Sequence, residues 1–462
     1  MASGIPLKKA GDTVNVFTKE DLKRFQSECL SDKEQRSFAK ISEWFAYWNN
    51  MVYVAFSGGK DSSVLADLCA FWCRLIGATL YLVFVNTGLE YPEIQKHVKN
   101  FAEYLRKKYN IEVVLDILRP QMRFDEVIKT YGYPMISKEV SKCVSSAKRL
   151  DSKYGQVCRK RLEGTAKQKS GELSLFNCAK YKPLLDVDFK ISHRCCDVMK
   201  KNPSHEYEKR TGRKPMTAQM ADESRLREQQ WIKFGCNGFN MSSPVSNPMS
   251  FWTEQDVLQY IKREQDRYDR EYKLKIKRMK DPRCRGSVRR RIRKWLLSEY
   301  ECSTRLPIAS VYGEVEYANS PEQLRFEDLG IECEGCEELH LTGCQRTGCV
   351  FCGFGCHREE SPSRFERLKI THPRQYEYCI GGGEYVWIGE HRNDRDEWHE
   401  FDLIADNGDP MTDAEIAEFM ELYKDNNNFR FKKLWQPNKQ GLGMGHVFEE
   451  LNKIYGEGFI KY

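Results

Sequence analysis

The sequence has no run of ~18 consecutive apolar residues, which excludes a helical membrane span and any membrane partner held by one. Its opening, Met1-Ala2-Ser3-Gly4-Ile5-Pro6-Leu7-Lys8-Lys9, has no apolar core behind it, so no signal peptide is expected and the chain is expected in the cytoplasm. It has no internal repeat and no low-complexity tract, which sets aside solenoids and disordered arrays. Charge of one sign is scarce overall: 74 Lys and Arg against 67 Asp and Glu leave +7 on 462 residues, so any polyanion-binding surface has to be local. Cysteine is plentiful, with 18, yet none follows Cys379. In a reducing compartment these are expected to be thiols or metal and cluster ligands rather than disulfides. A charged fraction of 31% with 12% aromatics marks a globular chain, long enough for two or three domains.

The chain is organised around Tyr53-Val54-Ala55-Phe56-Ser57-Gly58-Gly59-Lys60-Asp61-Ser62. Met51 to Phe56 reads as a buried strand. Val64, Leu65, Leu68, Phe71, Trp72, Leu75 and Ile76 then recur at helical spacing and predict the inner face of a helix. A strand, a glycine turn and a helix N-terminus together make an anion site. The glycines let the backbone approach closely, and unpaired N–H groups point at the anion. Ser57 and Ser62 offer hydroxyls and Lys60 a positive charge, while Asp61 suits a helix cap or a metal. Adjacent glycines rule out the G-x-x-x-x-G-K-[ST] loop of kinases and GTPases.

Ser57-Gly58-Gly59-Lys60-Asp61-Ser62 instead resembles the pyrophosphate loop of the ATP pyrophosphatase (PP-loop) superfamily; the bland alternative is an ordinary Gly-rich strand–helix turn. The resemblance implies ATP with Mg2+ as cofactors, cleavage between the α and β phosphates, these six residues around the nucleotide, and catalytic roles for Lys60 and Asp61. Further on, Thr79 to Val85 and Ile111 to Ile117 read as buried strands. Between them a helix carries Ile94, Val98, Phe101 and Leu105 on one face. The alternation predicts an α/β fold with a doubly wound parallel sheet, its ligands at the carboxyl ends of the strands. The turn Asn86-Thr87-Gly88-Leu89-Glu90-Tyr91-Pro92-Glu93 resembles the matching segment of phosphoadenylyl-sulfate (PAPS) reductases. Asn86, Thr87, Gly88 and Glu90 are thereby implied as nucleotide contacts in a fold of the HUP, adenine nucleotide alpha hydrolase-like type.

Ser192-His193-Arg194-Cys195-Cys196, followed by Asp222-Glu223-Ser224-Arg225-Leu226-Arg227, resembles the iron–sulfur adenylyl-sulfate reductase branch of that family. The resemblance implies Ser224 and Arg227 beside the nucleotide, and Arg225 stabilising charge on phosphate in catalysis. Thr347-Gly348-Cys349-Val350-Phe351-Cys352 resembles the second half of that branch's cluster site. It implies a C-terminal Cys-rich region in which Cys195, Cys196, Cys349 and Cys352 bind a [4Fe-4S] cluster. Cys344 and Cys356 stand in reserve, and zinc at Cys333 and Cys336 is an open alternative. Cys236 reads as a buried structural thiol.

Phe251 to Leu258 predicts a helix capped by Thr253, with Asp256 at its third position. Between it and Leu306 to Glu314 lies what reads as an insertion. From Lys273 to Lys294 it carries twelve Lys and Arg against one acid, Asp281, which predicts contact with nucleic acid. Residues 313–340 then reverse the balance, with nine acids and one arginine. The expected segments are 1–50 (helical), 51–263 (nucleotide-binding), 264–305 (basic insertion), 306–380 (cluster-binding) and 381–462 (an α/β tail).

Three functions fit these readings. An ATP-dependent sulfur transferase with a cluster, acting on nucleic acid and fed by a sulfur-donor protein, resembles the DNA phosphorothioation and tRNA thiolation branches of the superfamily. A PAPS or adenylyl-sulfate reductase is the alternative. The Glu-Cys-Gly-Leu/Ile-His motif of those reductases, whose cysteine attacks sulfur, has no counterpart here. A regulator that senses nucleotide is the third.

Overall fold

A computed structural model describes residues 16–148, 152–301, 305–318, 338–393, 398–405 and 410–462, with the backbone alone for 298–301. Cys333, Cys336 and most of the acidic stretch at 313–340 lie outside the described residues. None of the described helices is long and apolar enough to cross a membrane.

The chain forms two compact units, and they interleave in sequence where the expected segments ran consecutively. The first comprises residues 1–86, 90–118 and 204–347; the second comprises 87–89, 119–203 and 348–462.

The first unit is an α/β layer structure. Its sheet runs, in order, Val113–Leu118, Leu80–Val85, Val52–Ala55, Lys214–Met216, Val245–Ser246 and Asn237–Gly238. All neighbours pair in parallel except the last two, which are antiparallel. The chain therefore starts at Val52–Ala55, builds outward on one side, and returns to pair on the other. That reversal is the switch point of a doubly wound sheet, where a crevice opens at the strands' carboxyl ends.

The flanking helices bury the faces that their periodicity requires. In Pro92–Tyr109, Ile94, Val98, Phe101 and Leu105 are buried, and in Leu30–Tyr47 so are Ile41, Trp44 and Phe45. The helix Lys60–Ile76 departs from its expected stripe. Ala66, Asp67, Cys69, Ala70 and Cys73 are buried along with Val64, Leu65 and Leu68. Phe71, Leu75 and Ile76 are exposed. The helix is sandwiched over its first turns, so small side chains are buried there, and its last turn emerges into solvent.

Behind it a polar network replaces apolar packing. Asp67 is fully buried, with Lys108 Nζ at 2.9 Å and the Tyr260 hydroxyl at 2.7 Å. The helix Glu254–Lys280 begins with Thr253 and Asp256 in a reciprocal capping box, and Asp256 also takes a buried ion pair from Lys33 at 2.7 Å. This helix runs unbroken out of the capped segment into the basic stretch, which then turns back through Gly286–Glu301.

In the second unit, Glu384–Arg392 is the centre of an antiparallel sheet with Trp398–Asp402 and Phe429–Gln436. A short parallel pair joins Gly353–Phe354 to Met135–Ile136. The helices Lys138–Ala147, Lys153–Leu162, Arg364–Thr371, Pro373–Ile380 and Met444–Tyr455 are among those that complete it.

Candidate functional site

The crevice at the switch point holds a cavity of about 170 Å³ lined by Ser57, Gly59, Lys60, Asp61, Met220, Asp222, Glu223, Glu254, Tyr312, Arg346 and Thr347. The first four follow the strand Val52–Ala55. Met220, Asp222 and Glu223 follow its neighbour Lys214–Met216, and Glu254 opens the capped helix.

The two glycines divide their work. Gly58 has φ +73°, and a Cβ there would lie 2.8 Å from Cγ2 of both Ile94 and Val98. It is a packing glycine that lets the turn sit against a helix. Gly59 is the helix N-cap with an ordinary φ of −78°. A Cβ there would face the cavity, 3.2 Å from the Tyr312 hydroxyl. Only Gly59 gives a ligand close approach to the backbone.

The turn's anion-binding groups already have internal partners. Gly59 N–H donates to Ser57 Oγ at 3.3 Å, and Lys60 N–H donates to the Tyr312 hydroxyl at 3.2 Å. Tyr312 is 2% exposed and also bonds the Thr347 hydroxyl. Lys60 is buried, its Nζ 2.9 Å from Glu254 Oε1 and 3.6 Å from Asp61 Oδ1. Burial opposes the Lys60 charge, but Asp61 and Glu254 outweigh it and hold its pKa above the ordinary value. Burial likewise raises the Asp61 carboxyl; Lys60 opposes this, while Glu223 and Glu254 add to it. Among the described residues Asp61 Oδ1 finds no hydrogen-bond partner, and Asp61 does not cap the helix, whose N-cap has no side-chain bond.

Four carboxylates (Asp61, Asp222, Glu223, Glu254) and two cations (Lys60, Arg346) line the cavity. Such a surface repels bare polyphosphate, and a divalent cation reverses the balance. Among the described residues no three His, Cys, Asp or Glu side chains stand ready as a metal shell, so the carboxylates would share any cation with its ligand. The cavity is also smaller than the ~300–1,000 Å³ usual for small-molecule sites. Tyr312 stands over the helix N-terminus, where its hydroxyl bonds Lys60 N–H and the Thr347 hydroxyl.

Other residues singled out in the sequence fall elsewhere. Ser62 lies behind the turn, bonded to Ser57 Oγ at 3.0 Å. Asn86 and Glu90 do not line the cavity, and Thr87 and Gly88 fall in the second unit. Ser224 caps the helix Arg225–Phe234, Arg225 is exposed, and Arg227 pairs with Glu223; none of the three is in the lining. Tyr312, Arg346 and Glu254 carry no such signal in the sequence, and Thr347 is marked there only as the start of the segment that bears Cys349 and Cys352. Glu254 lies in the expected capped helix and Tyr312 in the segment bordering the insertion, and nothing local marks either as ligand-facing.

Cys195, Cys196, Cys349 and Cys352 all belong to the second unit. Cys195 is buried and its thiol is pushed up, first by burial and then by Cys196, Cys349 and Cys352 as charged neighbours. Burial, then Cys349, pushes Cys352 up to about 11. The four sulfurs share one neighbourhood without being set out as a ligand shell. The turn that carries Cys352 is fixed by its carbonyl, which accepts from Arg364 Nη1 at 2.8 Å, and by Gly355 N–H donating to Ile136 O at 2.8 Å. Cys356 donates to Gly353 O at 3.0 Å and is pushed up to about 12 by burial, which suits a structural thiol. Cys236 is buried in the first unit against Ser250.

The basic stretch presents cations around a small aromatic cluster. Tyr268, Tyr272 and Trp295 lie 6.0–6.3 Å apart between ring centres, and Lys275 Nζ sits 3.6 Å over Trp295. Among the described residues Lys275 alone of the twelve cations is in an ion pair, with Glu271. Arg289 is structural: its guanidinium donates to the carbonyls of Asp281 at 2.6 Å and Pro282 at 3.1 Å.

Comparison with known proteins agrees with the fold. Residues 51–158 match the family described as phosphoadenosine phosphosulfate reductase domain. This supports the PAPS reductase family of the PP-loop superfamily, whose members are generally nucleotide-using enzymes. Two uncharacterized proteins of Methanocaldococcus jannaschii are similar. One is 31% identical over 159 residues, 31% of this chain and 35% of that protein. The other is 32% identical over 105 residues, 23% of this chain and 20% of that protein. The chain thus spans about a third or less of the length of these relatives.

Proposed function

We propose that this protein is an ATP-dependent sulfur transferase that splits ATP to AMP and pyrophosphate and acts on nucleic acid. The observation that carries the reading is the cavity at the switch point, where the Ser-Gly-Gly turn, Lys60 and four carboxylates meet. Lys60, released from Glu254, binds and neutralises phosphate oxygens. Asp61, with Asp222, Glu223 and Glu254 nearby, would hold Mg2+ together with the nucleotide's phosphates. Charge developing between the α and β phosphates is met by the backbone N–H groups of Gly59 and Lys60. Arg346 offers a second cation at the mouth, the role that Arg225 was expected to fill.

Cys195, Cys196, Cys349 and Cys352 would hold a [4Fe-4S] cluster; their thiolate donors suit it. When bound, the cluster supplies sulfur or electrons to the reaction. Arg364 keeps the Cys352 turn in place. The cations at Lys273–Lys294 would neutralise backbone phosphates of the polymer, and the exposed Tyr272 offers a ring to a base.

The test incubates the protein with Mg2+ and ATP, with and without DNA or RNA, beside an assay with PAPS and a thiol reductant. AMP and pyrophosphate, increased by one nucleic acid, support the reading. Sulfite from PAPS with no ATP cleavage assigns the reductase reading instead, which the matched domain's name favours. Nucleotide binding without turnover assigns a sensor.

A further inference from the structure

Four aromatic side chains of the second unit gather outside the site described above. Tyr181 lies in the 3-10 turn Ala179–Leu185 and His357 in the 3-10 turn Cys356–Arg358. Tyr455 ends the helix Met444–Tyr455, and Phe459 follows in the loop beyond it. The rings of His357, Phe459 and Tyr455 form a stepped stack. His357 and Phe459 are 5.2 Å apart between ring centres at 28°, and Phe459 and Tyr455 are 4.7 Å apart at 35°. Tyr181 stands across them, edge-on to Tyr455 at 5.8 Å and to His357 at 6.5 Å. All four rings are partly exposed. Lys180 Nζ sits among three of them, 5.9 Å from the centre of Tyr181, 5.9 Å from Tyr455 and 5.4 Å from Phe459.

The rings are held in place from behind. The Asn452 side chain donates to Ile460 O at 3.1 Å and accepts from Ile460 N–H at 2.7 Å, and Ile460 is buried. Phe459, the residue before it, is thereby fixed with its ring toward the surface. Buried Cys356, bonded to Gly353 O, anchors the turn of His357 in the same way. A purely structural aromatic cluster buries its rings and hydrogen-bonds its polar ends. Here the rings stay half open. The Tyr455 hydroxyl and His357 Nδ1 are shielded from water and have no hydrogen-bond partner among the described residues. Lys180 and Arg358, the residue after His357, are exposed, and neither is in an ion pair among the described residues. The combination selects among ligands. An alkylammonium group would meet the ammonium that already stands among the rings, and an acidic peptide would use the cations but not the stack. A planar base flanked by phosphate uses both.

We propose that this platform is a base-stacking site for single-stranded nucleic acid, with a base against Phe459 and its neighbours and the flanking phosphates on Lys180 and Arg358. The bases of a duplex have both faces covered by their neighbours, so the platform takes an unpaired nucleotide and distinguishes single strands from duplex. It gives the second unit, which also carries Cys349 and Cys352, its own hold on the polymer, separate from the cations of Lys273–Lys294 in the first unit. The inference rests on the nucleic-acid reading above and names the form of the substrate.

The test measures binding of the full-length protein to fluorescein-labelled oligo(dT), oligo(U) and a duplex of the same length by anisotropy over a range of salt. It also maps, by mass spectrometry, the photo-cross-links formed with single strands that carry 5-iodouracil. The wild type should cross-link through the peptides that bear Tyr181, Tyr455 or Phe459. Phe459→Ala should weaken single-strand binding roughly 5- to 150-fold, with a smaller loss for duplex. Lys180→Gln should weaken it and lower the log–log salt slope by ~0.7. Because Phe459→Ala can disturb the packing around Ile460, the cross-links of the wild type and the exposed Lys180→Gln decide independently of it. A wild type that binds the single strands but cross-links only elsewhere, or variants that both bind as the wild type does, overturns this inference and leaves the nucleic-acid reading standing. A wild type that binds neither single strands nor duplex overturns both.

Discussion

Replacing each glycine of the turn by alanine separates packing from ligand contact. At position 58 a Cβ meets the branched Cγ2 methyls of Ile94 and Val98 at 2.8 Å, closer than real contacts allow. The backbone there has φ +73°, which costs a non-glycine residue ~1–2 kcal/mol. The methyls belong to β-branched side chains that cannot rotate away easily, so overpacking adds ~1–3 kcal/mol. Gly58→Ala should therefore lose roughly 2–5 kcal/mol of stability. At roughly 2–4 °C per kcal/mol, the melting temperature of the first unit should fall by roughly 4–20 °C. Gly59→Ala adopts an ordinary φ and meets three hydroxyls, of Tyr312 at 3.2 Å, Ser57 at 3.3 Å and Thr347 at 3.7 Å, so its melting temperature should fall far less than that of Gly58→Ala. Its ATP affinity should fall instead, because the methyl stands where phosphate must approach. Scanning calorimetry and equilibrium dialysis with Mg·ATP measure the two effects. A stable Gly58→Ala, or a Gly59→Ala that binds ATP normally, would refute the assignment of the two roles.

Tyr312→Phe frees the Lys60 N–H and loosens the latch over the turn, so ATP should bind more tightly; weaker binding in calorimetric titration would make Tyr312 a ligand contact. Asp61 has a raised pKa in the folded state, so its charge costs stability at neutral pH and the cost is relieved as pH falls through that pKa. Asp61→Asn should raise the melting temperature at pH 7 and lose this gain in acid, while weakening Mg2+-dependent ATP binding. His97 is buried against Ser63 with a pKa lowered to about 4 by burial. The unfolded chain therefore binds its proton first, and stability should fall as pH drops from ~6.5 toward 4. A flattened urea-melt profile over that range in His97→Gln would confirm it. Arg290, Arg291, Arg293 and Lys294 to Gln should weaken nucleic-acid binding and lower the log–log salt slope by ~0.7–0.9 per lost phosphate contact. Arg289 is left in place because it holds the hairpin turn.

What was legible in the sequence was what local pattern encodes. The strands around Val52–Ala55, the helix behind the turn and the Thr253–Asp256 cap each follow from spacing or from contacts within a few residues. The alternation of strand and helix fixed the parallel order near the turn. What could not be read depends on distant segments meeting. Glu254, Tyr312 and Arg346 reach the turn from nearly two hundred residues away or more, and no local signature marks them. The exposure of Phe71, Leu75 and Ile76 depends on where neighbouring helices end. The split of the glycine pair depends on Ile94 and Val98, which periodicity marks as core without saying what they touch. The interleaving of the two units likewise leaves no compositional boundary.

We propose that the cavity above Gly59 and Lys60 binds ATP and directs cleavage between its α and β phosphates. ATP labelled at the α phosphate, incubated with Mg2+ and nucleic acid and resolved by chromatography, tests it most directly. Labelled AMP with matching pyrophosphate is expected, and loss of both in Lys60→Ala and Gly59→Ala at retained fold. Labelled ADP, or AMP formed equally by those variants, would contradict it.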